Sequence, residues 1–215
     1  MKITVIGATG MVGSRVVTEA ATRGHVVTAA SRNSGTGSGS EAITSVPVDV
    51  SSPGALTPAL ADADAAVLAI RPARGDEHRL GPLTEAVLDA AAGTRAPLLI
   101  VGGAGPLRSP TDPELLVADN PIYVPAAWRS LAAASTAQLR TCHEHSGNGW
   151  TYLSPPAILE PGPRTGRYRR GTTTLLTDTD ERSYISAEDL AVAVVDEIER
   201  PGTERHITIA HAPSS

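Results

Sequence analysis

The sequence predicts an α/β fold in which helices wrap both faces of a parallel sheet, and three observations predict it. Apolar runs of strand length alternate with helix-length stretches along the whole chain, the pattern of a doubly wound sheet. The first run, Lys2-Ile3-Thr4-Val5-Ile6, stops at a glycine, and two more glycines follow at intervals of three in Gly7-Ala8-Thr9-Gly10-Met11-Val12-Gly13. Hydrophobic residues make up 41% of 215 positions, enough for one full core. No linker divides the chain, so residues 1–215 are expected to form one domain with a small C-terminal substrate-side region.

The elements follow in order. Ile3–Ile6 reads as a strand, Met11–Thr22 as a helix and His25–Ala30 as the next strand. The run from Ser31 to Ser40 is glycine- and serine-rich and reads as a flexible loop. Ile43–Val48 is a strand, and Pro53–Leu60 a short helix with proline in its first turn. Ala65–Ile70 and Pro97–Val101 are apolar throughout, as strands covered on both faces must be. Between them Asp76–Ala92 reads as a helix that stops at Gly93. Prolines 106, 110, 113, 121 and 125 mark a long irregular connection before a helix from Ala126 to His145. Trp150–Leu153 is a strand, the stretch from Glu160 to Arg167 a loop, and Tyr168–Leu176 one or two short strands. Ser186–Glu199 is a helix with Ser186 as N-cap and Asp189 at the capping-box position. Arg205–Ala210 closes the sheet.

Composition narrows the function. A net charge of −5 gives no electrostatic basis for binding nucleic acid or an anionic membrane. No apolar run approaches a membrane span, and the N-terminus reads as a structural strand rather than a signal peptide. One cysteine, Cys142, excludes an internal disulfide and fits a reducing cytoplasm. Aromatic residues are only 3% and phenylalanine is absent. The only lysine is Lys2.

The glycine loop has the chemistry of a dinucleotide site in a Rossmann-like fold. Its first glycine permits the sharp turn out of the strand. The second lets backbone approach a pyrophosphate, and the third lets the helix pack on the sheet. The helix opening at Met11 turns its N–H groups and dipole toward the anion, so Gly7, Thr9, Gly10, Met11, Val12 and Gly13 are candidate cofactor contacts. An acidic residue at the end of the second strand would bind the ribose of NAD. None occurs between His25 and Ser40. Ser31 and Arg32 stand there instead, and a guanidinium fork suits a 2′-phosphate. NADP(H) is therefore expected in preference to NAD(H). Asp49 and Val50 follow the third strand where the adenine should rest, although Asp49 equally suits capping the next helix.

Gly-Ala-Thr-Gly-x-x-Gly, Asp49-Val50 and Val101-Gly102-Gly103-Ala104-Gly105 together resemble the atypical short-chain dehydrogenase/reductases. The C-terminal third carries Leu153-Ser154-Pro155-Pro156-Ala157, Glu160-Pro161-Gly162, Arg164-Thr165-Gly166-Arg167-Tyr168 and Ile185-Ser186-Ala187-Glu188-Asp189-Leu190-Ala191. These segments resemble NAD(P)H-binding proteins named as candidate NADH-flavin reductases and, more distantly, biliverdin reductase B and the NmrA-like proteins. The resemblance implies the Rossmann-like fold and a nicotinamide dinucleotide.

Typical members of the wider group use a Tyr-x-x-x-Lys pair. Here residues 127, 156, 172 and 188, four beyond each tyrosine, are Ala, Pro, Thr and Glu. Gly102-Gly103 replaces the usual serine after the fifth strand. Alcohol oxidation by that relay is excluded, which leaves hydride transfer to an acceptor needing little proton help, such as a flavin or quinone. FMN or FAD would then be substrate rather than bound cofactor. Ala69, Ile70, Arg71, Gly102, Gly103, Ser154 and Pro155 are expected along the carboxyl edge, with Gly102 and Gly103 letting a flat ring approach. Arg71 suits a cofactor phosphate, an anionic acceptor or a loop cap. Tyr123 and Ser154 are the candidate proton donors. Trp128 and Tyr168 are the aromatics placed to meet a flat acceptor.

Arg164, Arg167, Arg169 and Arg170 form a basic cluster that suits a phosphate, but reads more readily as a solvated face. Cys142-His143-Glu144-His145 lacks the i, i+4 spacing of helical metal sites, and no metal is expected. The expected partner is a small flat acceptor, with the protein a monomer or homodimer. Two other outcomes fit the same residues: a non-catalytic NADP(H) sensor, and a reductase dedicated to one conjugated carbonyl.

Overall fold

The first strand sorts its side chains to two faces, and the rest of the molecule follows that sorting. β1 (Lys2–Ile6) buries Ile3 and Val5 in one hydrophobic cluster and Ile6 in another, because successive strand residues point to opposite faces. β2 (Val26–Ser31) and β3 (Ile43–Pro47) extend the sheet on one side of it. β4 (Ala65–Leu68) and β5 (Leu98–Val101) extend it on the other, each with four buried residues. The computed structural model describes residues 1–32, 41–94, 96–147 and 149–212. The glycine- and serine-rich loop beyond Arg32 lies outside them.

The sheet continues through β6 (Trp150–Ser154), β10 (His206–His211) and β8 (Tyr168–Gly171). Its order is β3-β2-β1-β4-β5-β6-β10-β8. Every pairing is parallel except that of β8 with β10. α1 (Met11–Thr22) and α5 (Ala187–Glu199) pack together on one face. α2 (Pro53–Leu60), α3 (Leu80–Ala92) and α4 (Arg129–Glu144) cover the other. The strand order reverses between β1 and β4, and the crevice of an open α/β sheet lies at that point.

Several boundaries differ from the sequence reading. The helix expected from Asp76 begins as a 3-10 turn at Glu77–Arg79 before α3. The helix expected from Ala126 opens with another at Ala126–Trp128. Of Tyr168–Leu176 only β8 is strand. A two-stranded parallel sheet of β7 (Ile158–Glu160) and β9 (Tyr184–Ser186) was not anticipated. Glu160, read as loop, ends β7.

The C-terminal region is tied down by carboxylates. Asp189, fully buried, accepts from the Thr165 N–H and hydroxyl at 2.7 and 2.6 Å and from the Gly166 N–H at 2.7 Å. Its own N–H donates to the Ser186 hydroxyl, the expected cap. Glu19 on α1 is 6% exposed. It accepts two hydrogen bonds from Arg164, both 2.8 Å, and one from Arg23. Arg164, first among these partners, holds the Glu19 carboxyl below the usual range against the opposing effect of burial.

A carboxylate with a depressed folded-state pKa stabilises the protein above its unfolded pKa, and loses that contribution as pH falls through the folded value. Glu19→Gln should lower stability at neutral pH by about 1–3 kcal/mol. It should also flatten the decline of stability below about pH 4.3. Urea denaturation across pH tests both, and an unchanged acid limb would contradict the assignment.

Candidate functional site

Backbone packed on backbone builds the glycine loop. Gly7 has φ +88°, and a Cβ there would stand 2.3 Å from the Ala69 carbonyl oxygen. The Gly7 and Ala8 N–H groups donate to the Ala30 carbonyl at 2.9 and 3.1 Å. A Cβ on Gly13 would stand 2.1 Å from the Gly7 carbonyl. Gly10 is the N-cap residue of α1 and makes no side-chain cap, so the first-turn N–H groups face outward. Thr9, Gly10 and Met11 form an exposed crest, Val12 is half-buried, and Gly13 is buried. Side chains at Gly7 and Gly13 would break this backbone packing, and the tight turn it holds, with free first-turn N–H groups beside it, fits a pyrophosphate.

The carboxyl ends of the strands are laced along one edge. The Val48 N–H donates to the Ser31 carbonyl at 2.9 Å, Ala69 to Ile6 at 2.8 Å, and Gly102 to Leu153 at 2.9 Å. Ser31, Asp49, Ala69, Arg71, Gly102 and Ser154 thus stand at the ends of neighbouring strands, as expected. Arg32 is exposed beside the buried Ser31. Arg32 and Arg79 lie close enough to Asp49 to favour its charge.

Other expectations are corrected in detail. Asp49 does not cap α2, whose N-cap position is Ser52. It accepts from the Ser51 N–H and hydroxyl at 2.9 and 2.7 Å, and these bonds are the main cause of its lowered pKa. The Val50 side chain belongs to the core, leaving only its backbone to face a ligand. Gly102 serves packing rather than ring approach, since a Cβ would lie on the Tyr152 hydroxyl. A Cβ on Gly103 would stand 2.9 Å from Ser135 of α4, again a packing contact. Pro155 is buried.

Ser154 is fully buried, and its hydroxyl lies 2.9 Å from His206 Nε2. Burial, with a smaller effect from His143, lowers the His206 pKa to about 4, so the imidazole is neutral at pH 7. Tyr123 is half-buried against the cluster of Leu107, Val117 and Leu175, and burial raises its pKa, with Glu181 adding to the shift. This cluster joins the irregular connection to the C-terminal third through Arg108, whose N–H donates to the Thr173 carbonyl at 2.7 Å.

The basic cluster is largely consumed internally. Arg164 pairs with Glu19, and Arg170 with Glu197 and Glu204. Arg169 donates to backbone carbonyls of His211 and Thr177. The Tyr168 hydroxyl donates to Asp196 at 2.6 Å, which removes Tyr168 as an acceptor platform. Cys142 is buried, His143 stacks edge-on against Trp150, and His145 contacts Asp89. Sequence reasoning missed the buried polar network below Gly102. Tyr152 Oη lies 3.0 Å from the Ser135 carbonyl and from Gln138 Oε1, while Gln138 Nε2 donates to Thr84. A glutamine on the alanine-rich face of α4 was its one visible signal.

Fold and loop together define a dinucleotide-binding α/β protein with an oxidoreductase-like architecture. The model of the NAD(P)H-binding family matches residues 7–201, and the chain belongs to that family. The Bacillus subtilis protein YwnB, itself uncharacterised, is 35% identical over 99% of this chain and 100% of its own length. A Burkholderia pseudomallei structure described as a candidate exported protein is 36% identical, with TM-score 0.86 over 98% of this chain and 100% of that one. A Streptococcus pneumoniae structure, described as a candidate NADH-flavin reductase, is 27% identical, with TM-score 0.88 over 99% and 100%.

Gly102→Ala should destabilise the protein by about 1–3 kcal/mol through overpacking. Tyr152→Phe should not rescue it, because ring carbon Cζ would still stand 2.0 Å from the new Cβ. Chemical denaturation of the single and double variants checks both, and an unperturbed Gly102→Ala would refute the packing role.

Proposed function

We propose that the protein is an NADPH-dependent oxidoreductase that reduces a flavin, a quinone or a similar conjugated acceptor. The observation that carries this reading is the position of Lys2. It starts β1 at the amino end of the sheet, whereas the glycine loop follows the carboxyl end. A tyrosine–lysine relay therefore has no lysine at the site, in space as in sequence. Tyr152 offers no substitute, being buried and hydrogen-bonded, with its pKa raised by burial.

The first-turn N–H groups of α1 would hold the pyrophosphate, and Arg32 with Ser31 the 2′-phosphate. When bound, the reduced nicotinamide supplies a hydride, and the acceptor takes it with a proton from solvent. The chain contributes position and electrostatics, and requires no acid of its own for such an acceptor. The similarity to a candidate NADH-flavin reductase supports the choice of acceptor class. Net charge −5 and the single cysteine support a cytoplasmic protein without nucleic-acid or membrane partners. Among the described residues, no helix is long and apolar enough to cross a membrane. We assign it as a monomer or homodimer.

Loss of nicotinamide absorbance in mixtures of the protein, NADPH and a panel of FMN, FAD and quinones is the direct test. Turnover with at least one acceptor is expected. Tight NADP(H) binding with no turnover across the panel would instead identify a sensor of the NmrA-like type.

Cofactor choice is tested separately. Arg32→Ala should reduce the preference for NADPH over NADH about tenfold or more, the worth of a charge-assisted pair. An unchanged affinity ratio removes Arg32 from cofactor selection.

A further inference from the structure

Beside the glycine loop the carboxyl edge carries a second recess. After β4 the chain turns through Ala69-Ile70-Arg71-Pro72. The Ala69 carbonyl packs on Gly7, so this turn walls the dinucleotide loop. From it Arg71 reaches the start of α4, where its guanidinium carbon stands 5.0 Å from the centre of the Trp128 ring. Arg71, Arg74 and Glu77 on one side, with Ala127, Trp128 and Leu131 on the other, line a cavity of about 220 Å³.

Three features of this recess point to a ligand. Trp128 is 52% exposed, whereas Trp150 is 3% exposed. An indole left open in a chain so poor in aromatics is surface available for a flat ring. The guanidinium already stacked on one part of it holds a cation there without a carboxylate. Among the described residues, neither Arg71 nor Arg74 makes an ion pair or hydrogen bond. Arg15, Arg23, Arg164 and Arg170 all have carboxylate partners. The one acid of the recess, Glu77, accepts the Gly75 N–H at 2.8 Å. Two unneutralised guanidinium groups beside an open indole recognise an anionic group carried on an aromatic ring.

We propose that this recess is the acceptor subsite and that it selects flat acceptors bearing a carboxylate, sulfonate or phosphate. The inference rests on the hydride-transfer reading above and adds charge selectivity to it. The volume sets the size. Drug-sized sites begin at roughly 300 Å³, so the recess holds one or two rings, and a larger acceptor extends along the edge.

The test pairs binding with turnover. Calorimetric titrations of 2-naphthoate and neutral 2-naphthol, each with and without saturating NADP+, read charge selectivity without any reaction. Naphthoate should bind about tenfold tighter, the worth of one charge-assisted hydrogen bond. Arg71→Ala combined with Arg74→Ala should bring the two ligands within about threefold of each other. Both side chains are exposed, and an unaltered melting temperature verifies the fold. Equal binding to the wild type, selectivity that survives the double variant, or competitive displacement of naphthoate by NADP+ would each overturn the proposal. The last of these would assign the arginines to a cofactor phosphate. Turnover is scored with 1,4-naphthoquinone-2-sulfonate against 1,4-naphthoquinone, the sulfonate being preferred about tenfold. Selective binding with no NADPH oxidation by either quinone would overturn hydride transfer and leave an anion-selective recess. Loss of selective binding sinks the recess whatever the turnover.

Discussion

Backbone atoms of Gly7 packed against Ala69 on one side and Gly13 on the other are the constraint on which the molecule's chemistry depends. A Cβ at Gly7 or Gly13 would enter within 2.3 or 2.1 Å of a carbonyl oxygen. The nearest atoms at both positions are backbone, which cannot move aside as a flexible side chain can. The contact draws β1, β4 and the start of α1 together, and so sets the crevice at the point where the strand order reverses. It also aims the unsatisfied N–H groups of α1 outward. The anion site is thus a product of steric packing, and charge enters only through the helix terminus and the arginines around it.

The C-terminal region is fixed by different physics. Asp189, buried, takes the Thr165 and Gly166 N–H groups, Glu188 takes the Gly162 N–H, and the buried Glu19 takes the guanidinium groups of Arg164 and Arg23. Loop backbone that lacks secondary-structure partners still has to satisfy its hydrogen bonds, and here Asp189 does it for Thr165 and Gly166 and Glu188 for Gly162. Removing one would leave donors stranded in a partly dry environment. The glycine loop is therefore held by steric packing and the C-terminal loop by ionic hydrogen bonds, and low pH is expected to act on the second alone.

What the sequence revealed depended on how far apart the determinants lie. The glycine loop, α1 and the Ser186–Asp189 cap are local patterns, and their elements have the expected limits. β7 and β9 are three residues each, too short for a period to register. Gly102 looked like a vacancy for a ring because sequence records the missing side chain but not its occupant, Tyr152, fifty residues later. Arg164 and Arg170 read as a charged face for the same reason. Their carboxylates stand on α1, on α5 and before β10. Asp189 showed its N–H capping role within four residues, while the partners of its carboxylate stand 23 and 24 residues away in irregular chain.

The distribution of arginines follows the same division. In a chain of net charge −5, unsorted cations would be expected to find acids. They do so where α1, α5 and β8 meet, through Arg15, Arg23, Arg164 and Arg170. At the carboxyl edge the pattern reverses. Arg32 and Arg79 lie near an Asp49 already engaged by Ser51, and Arg71 rests on an indole. A cation stacked on an aromatic face keeps its charge, because no carboxylate neutralises it. On an acidic protein, cations left without a carboxylate attract anions locally while the whole repels them at a distance. On the proposed reading, a ligand carrying several phosphates, or an acceptor carrying one anionic group, would be drawn to the place where the glycine loop can receive it.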